Sequence, residues 1–166
     1  MRAKAKRRVL PDPIEVKRMA QALQAATRPL VVTGRGAQGQ GAAVAKLLDA
    51  LGAAYLDTQE SRGLVDASHP SVVGAVRARA MQEADVVLVV GRKLDYQMGY
   101  GSPAVFPKAR FIRIADHADE LRDNRRGEVE LLADAGLACD RLRPFDVSGA
   151  HLLLAVAAVE PEAVAA

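Results

Sequence analysis

Leu30-Val31-Val32-Thr33-Gly34-Arg35-Gly36-Ala37-Gln38-Gly39 runs from an apolar segment into glycines and on into an alanine-rich stretch. A strand that ends in this way and opens a helix presents free main-chain N–H groups at the helix N-terminus. Glycines then let a ligand's phosphates come close to them. Gly34 to Gly39 also fits the G-x-G-x-x-G pattern of dinucleotide folds, a weak signal on its own. The elements on either side decide its meaning.

Upstream, Ile14, Val16, Met19, Ala20, Leu23 and Ala26 recur at helical spacing and stop near Pro29. A helix is therefore expected before the first strand, Leu30 to Thr33. Downstream, Val44, Leu47, Leu48 and Leu51 share one face of a helix that Gly52 ends, and residues 53–58 read as a second strand. Val72-Val73-Gly74 is a short third strand, followed by a helix over 75–83. The unbroken run Val86-Val87-Leu88-Val89-Val90 reads as a strand buried on both faces, as in a parallel sheet. After a long Gly- and Pro-containing loop, residues 110–115 and 128–132 supply two more strands, and a short helix follows around 135–142. Strands alternating with helices predict an α/β, Rossmann-like doubly wound six-stranded parallel sheet with helices on both faces. The expected organisation is a basic tail or linker over 1–13, one domain over 14–142, and a linker and tail over 143–166.

Composition narrows the function. Half of the 166 residues are hydrophobic and only 4% aromatic, with no Trp, so Val, Leu, Ile and Ala must build the core. The net charge of +3 is concentrated in Arg2, Lys4, Lys6, Arg7 and Arg8. The high pI thus reports a tail and not a basic face, which argues against nucleic-acid binding. The one cysteine, Cys139, excludes an internal disulfide framework and sits among apolar neighbours. The apolar run Leu152 to Val159 is too short to span a bilayer, so no membrane partner and a cytoplasmic location are expected.

In a doubly wound sheet, ligands sit beyond the C-terminal ends of the strands. Those loops hold Gly34, Arg35 and Gly36; then Asp57, Thr58, Ser61, Arg62 and Gly63; then Gly91, Arg92, Lys93, Leu94 and Asp95; then Asp116 and His117. Glycine beside a cation recurs at three strand ends, which suits a polyanionic ligand such as a nucleotide. Asp57 and Asp116 compete as acceptors for a ribose hydroxyl. Asp57 closes the second strand about twenty residues beyond Gly39, where an NAD-binding unit places its acid. Catalytic groups are scarce. His69, His117 and His151 are scattered without metal-ligand spacing, and the pair Glu128 and Glu130 reads as a solvated strand face. By its own chemistry the chain is a binder and not a catalyst.

Ordered along residues 13–142, five segments resemble the central domain of thiamine-diphosphate enzymes of the acetolactate synthase and oxalyl-CoA decarboxylase type. Arg28-Pro29 leads the first strand into Gly34-Arg35-Gly36. Ser61-Arg62-Gly63 is followed by His69-Pro70 and Gly74. Glu83-Ala84-Asp85 opens the long apolar strand that ends in Gly91-Arg92-Lys93-Leu94-Asp95. Ile112-Arg113-Ile114-Ala115-Asp116 precedes Glu120-Leu121 and Asn124-Arg125. The last strand then runs into Asp134. The resemblance accounts for the leading helix, which an ordinary dinucleotide unit does not need.

What the resemblance implies is a structural domain that holds FAD or ADP in some members and no nucleotide in others. The thiamine diphosphate and its Mg²⁺ would sit in other domains of the parent enzyme, so the chain alone is expected to be inactive, with other domains or subunits of a homo-oligomer as its partners. By position, the nucleotide contacts would be Gly34, Arg35, Gly36, Arg62, Gly63, Gly91, Lys93 and Asp116. Three positions depart from the family pattern: Lys93 replaces a frequent Arg, Arg35 a frequent Gly, and Ala115 a common Asp. Two alternatives remain open, an NAD-dependent oxidoreductase using Gly34 to Gly39 with Asp57, and a non-binding interaction module of the same fold.

Overall fold

The structure, a computed structural model, describes residues 8–142. Helix α1 (Pro13–Gln24) starts where sequence chemistry allows it. Asp12 caps it by accepting from the N–H groups of Ile14 at 2.7 Å and Glu15 at 3.3 Å, and Pro13 occupies the first turn. The chain then passes through β1 (Pro29–Thr33), α2 (Gly41–Leu51), β2 (Ala54–Asp57), α3 (Arg77–Glu83), β3 (Val86–Val90), β4 (Arg110–Ala115), α4 (Ala118–Leu121), β5 (Val129–Leu132) and α5 (Ala135–Leu142). Gly52 ends α2 in a left-handed conformation and donates its N–H to Leu48 O.

All five strands are parallel, in the spatial order β2-β1-β3-β4-β5. The sheet is doubly wound as expected, but among the described residues it has five strands and not six. Val72-Val73-Gly74 contributes a single parallel bridge, Tyr55 to Val72. Gly74 at once opens a 3-10 turn, which leaves too few extended residues for a strand. Counting that bridge as an edge position gives the 3-2-1-4-5-6 order of dinucleotide folds.

Alternation along the strands divides the core in two. Val31, Val86, Leu88, Val90, Ile112 and Ile114 face the layer formed by α1, α2 and α5. Leu30, Val32, Val87, Val89 and Phe111 face Ala80 and Met81 of α3 together with Leu94, Met98 and Phe106 of the loop after β3. Burial on both faces explains why β1 and β3 read as continuous apolar runs. Phe106 and Phe111 meet edge to face at 5.2 Å. Cys139 is fully buried in α5.

The strand starts are pinned by charge. Asp85 takes three hydrogen bonds: the N–H of Thr27 at 2.6 Å, the hydroxyl of Thr27 at 2.8 Å and the N–H of Arg28 at 2.9 Å. Burial opposes its ionisation, but these donors outweigh that effect and hold its carboxyl below the usual range. Arg28 pairs with Glu83. Arg8 reaches Asp134 at 2.8 Å, and Val9 O accepts from Asp134 N–H, so residues 8 and 9 of the expected tail lie against the β5–α5 turn. Glu128 and Glu130, expected as a solvated pair, bind Arg110 and Arg126 separately.

Candidate functional site

The chain order reverses between β1 and β3. From β1 the sheet grows one way to β2, and from β3 the other way to β4 and β5. This is the switch point at which doubly wound sheets form their crevice. Gly34, Gly36 and Gly91 meet there, main chain against main chain. A Cβ built on Gly91 would lie 2.5 Å from Gly36 Cα, and one on Gly34 would lie 2.6 Å from Gly91 O.

Their N–H groups, expected to be free for phosphates, are engaged. Gly34 N–H donates to Val90 O at 3.0 Å, Gly36 N–H to Gly91 O at 3.0 Å, and Gly91 N–H to Ile114 O at 2.7 Å. Nor does β1 lead directly into a helix. Arg35–Ala37 forms a 3-10 turn, and α2 begins only at Gly41, whose missing Cβ would meet Leu64 O at 2.2 Å. The glycines therefore let two strand ends pack closely, and the groups left facing the crevice are side chains.

Those side chains line a cleft of about 340 Å³ at the switch point, with Arg35, Glu60, Gly91, Arg92, Lys93, Asp95 and Gln97 among its walls. Arg35 stands exposed and donates its Nε–H to Glu60 Oε1 at 3.0 Å. Lys93 is exposed at the same rim. Arg92 is 6% exposed; its Nη2 donates to Asp95 Oδ1 at 2.9 Å and Gln97 Oε1 at 2.8 Å, and its Nη1 lies 3.7 Å from Glu60.

A buried polar network sets the floor beside the cleft. Thr33 Oγ1 lies 2.7 Å from the Tyr55 hydroxyl and donates to Ser61 Oγ, while Thr58 Oγ1 and Ser61 Oγ donate to Thr33 O at 2.8 Å. Burial pushes the Tyr55 phenol above its usual value, keeping it a neutral hydrogen-bonding group. The network fixes residues 58–61, and with them Glu60.

Arg62 lies in a neighbouring depression of about 560 Å³ with Asp57, Gly74 and Arg77. Gly63, at φ +74°, gives its N–H to Asp57 Oδ2 at 3.1 Å, so Asp57 holds a turn. Asp116 lies beyond β4, 2.8 Å from His117 Nδ1, and lines neither cleft. His69 Nε2 is 3.2 Å from Asp49, and His151 falls outside the described residues. The expected residues thus divide into three glycines with Arg35 and Lys93 at the switch point, Arg62 and Gly63 next door, and Asp116 apart.

Arg113 and Glu120 had not stood out among the candidate site residues. Arg113, mid-strand in β4 and 1% exposed, binds Asp123 through Nη2 at 2.8 Å and also reaches the carbonyls of Glu120, Arg125 and Arg92. Asp123 in turn accepts the Leu94 N–H at 2.7 Å. An arginine between two isoleucines in an otherwise apolar strand is the signal that could have found it, because such a residue is buried only with a partner.

Residues 16–142 match the family described as thiamine pyrophosphate enzyme, central domain. The chain is 36% identical over 118 residues to 2-hydroxyacyl-CoA lyase 1 of Mus musculus, covering 69% of this chain and 20% of the relative. It is 27% identical over 128 residues to oxalyl-CoA decarboxylase of Escherichia coli K12, covering 76% and 23%. A solved structure from Mycobacterium smegmatis, described as a thiamin diphosphate-dependent enzyme, superposes with a TM-score of 0.75 at 21% identity over 93% of this chain and 32% of that one. The chain spans about a fifth to a quarter of the length of the curated relatives it matches. No helix among the described residues is long and apolar enough to cross a membrane.

Proposed function

Because the chain belongs to the thiamine pyrophosphate enzyme central-domain family, we propose that it is the structural central domain of a thiamine-diphosphate-dependent lyase or decarboxylase acting on an acyl-CoA. On this reading the switch-point cleft holds an adenine nucleotide, as ADP or within FAD. The parent reaction follows the names of its relatives, a 2-hydroxyacyl-CoA lyase and an oxalyl-CoA decarboxylase. Thiamine diphosphate and Mg²⁺ belong to other domains of the parent, which bring the chemistry. This domain would link them and hold the nucleotide.

The observation that carries nucleotide binding is the convergence of Arg35, Arg92 and Lys93 on one cleft at the switch point. Arg35 and Lys93 at the rim would contact the phosphates, since the N–H groups of Gly34, Gly36 and Gly91 are already engaged. Arg62 and Gly63, next door, would meet the longer FAD if that is the ligand. The NAD reading loses support because Asp57 is engaged with Gly63.

Calorimetric titration of the chain with ADP, FAD and NAD tests this. ADP or FAD should bind, and Lys93→Ala should weaken binding about tenfold, as for one lost charge-assisted contact. Flat titrations with all three would leave a linking domain without a ligand. Preference for NAD would overturn the reading.

A further inference from the structure

The residues that line the switch-point cleft carry three cations, Arg35, Arg92 and Lys93, and three carboxylates, Glu60, Asp95 and Glu120. Their formal charges cancel, so the lining as it stands offers a polyanion no net positive charge. The carboxylates are not equivalent. Asp95 caps the turn that follows it, accepting the N–H of Gln97 at 3.0 Å. Glu60 instead faces two guanidinium groups. Its Oε1 accepts from Arg35 Nε–H at 3.0 Å and also from Arg35 Nη2, and its Oε2 lies 3.7 Å from Arg92 Nη1. A carboxylate set between two arginines takes up the charge and the donors that they would otherwise turn on a phosphate.

The fold does not need that carboxylate. Thr58 Oγ1 and Ser61 Oγ donate to Thr33 O, and the Gln38 side chain donates to Glu60 O at 2.9 Å, so the main chain around Glu60 is held without it. The Glu60 side chain is partly exposed and that of Arg35 is exposed. Ion pairs of this kind add little to stability, and a rotamer change of Glu60 is enough to break this one. Arg92 stays where it is, since Asp95 and Gln97 hold its Nη2. Resting on the nucleotide reading above, we infer that Glu60 is an internal competitor for anions. Its carboxylate holds the position between Arg35 and Arg92 that a ligand's phosphate would take, and binding displaces it. Turning Glu60 out to solvent frees Arg35 for the ligand and removes one negative charge from beside Arg92. Glu60 thereby sets how tightly the cleft holds phosphate.

Calorimetry on the full chain compares ADP with adenosine, on the unaltered protein and on Glu60→Gln, which keeps the shape of the side chain and removes its charge. ADP should bind Glu60→Gln about tenfold more tightly, the scale of one charge contact at a partly exposed site. The gain should shrink between about 0.1 M and about 1 M salt, as the screening length falls from about 10 Å to about 3 Å. Adenosine, which has no phosphate, should show no gain, and the urea midpoint of the variant should match that of the unaltered chain. Glu60→Ala should reproduce the tighter binding of ADP. Equal binding of ADP by the unaltered chain and Glu60→Gln would overturn the inference and leave nucleotide binding intact. Weaker binding by Glu60→Gln would also overturn it, making Glu60 a contact of the ligand. So would an equal gain for adenosine, which would trace the effect to the shape of the turn. No binding of ADP by either protein would overturn both readings together.

Discussion

Alanine at Gly91 should separate the packing role of the switch-point glycines from their conformational role. Gly91 sits at φ +58°, and its Cβ would lie 2.5 Å from Gly36 Cα, 2.6 Å from Gly36 C and 2.8 Å from Ala37 N. The left-handed backbone costs an L-residue roughly 1–2 kcal/mol. The contacts are all main chain, so no rotamer change relieves them, and overpacking of this kind adds about 1–3 kcal/mol. Gly91→Ala should therefore lose about 2–5 kcal/mol, a large part of the ~5–15 kcal/mol typical of a domain. Gly39, at φ +76° with nothing within 4 Å of its Cβ position, carries only the conformational cost. Gly74, with open space and no positive φ, is the neutral control. Urea unfolding followed by circular dichroism is the assay, since the chain has no Trp. With a mid-range slope of about 2 kcal/mol per molar urea, the Gly91→Ala midpoint should fall by about 1–2.5 M. A Gly91→Ala midpoint no lower than that of Gly39→Ala would refute the close approach of the two strand ends.

Asp123→Ala leaves the Arg113 guanidinium buried without its carboxylate and should cost about 3–5 kcal/mol by urea unfolding, with Arg113→Met in the same chain recovering part of the loss. Asp85→Asn should lower stability at neutral pH by about 1–3 kcal/mol, because the carboxylate receives three hydrogen bonds. Since the Asp85 carboxyl is depressed in the fold, its contribution is complete above the ordinary carboxyl value near 4 and lost as pH falls through the lower folded value. The gap between wild type and variant should accordingly close under acid, and a gap independent of pH would contradict this. Tyr55→Phe should cost about 1 kcal/mol, leaving Thr33 Oγ1 with one fewer neighbour in a buried network.

The sheet was legible in the sequence because its strands are short, apolar and buried on both faces, as Val86 to Val90 illustrates. The first helix was legible through its 3.6-residue spacing, and its start through the Asp12-Pro13 cap. The edge was misjudged at Val72-Val73-Gly74, where apolar residues form one bridge and then turn. Propensity cannot distinguish a strand from a single bridge when only two residues carry the signal. In the site, the glycines and cations were found, but the role of the glycines differed from expectation. Whether an N–H is free depends on which carbonyl lies opposite, and Gly36 meets Gly91 only through the fold. The same holds for Glu60, placed through the contact of its neighbour Ser61 with Thr33, and for Glu120, whose carbonyl accepts from Arg113.

The motifs that mark the family hold two kinds of residue, those that build the frame and those that line the cleft. Arg28, Glu83 and Asp85 clamp the starts of β1 and β3. Gly34, Gly36 and Gly91 let the ends of the same two strands touch. Both sets act on one pair of strands, from opposite ends, and together they fix the width of the switch point. The cleft is lined by side chains standing on that frame, with Arg35 and Lys93 exposed and Arg92 buried. A change such as Lys for Arg at position 93 alters the lining of the cleft without touching the glycine contacts that hold the ends of β1 and β3 together. On the proposed reading, ligand identity is to be sought in the cleft-lining residues, and fold identity in the glycines and the strand-start clamp.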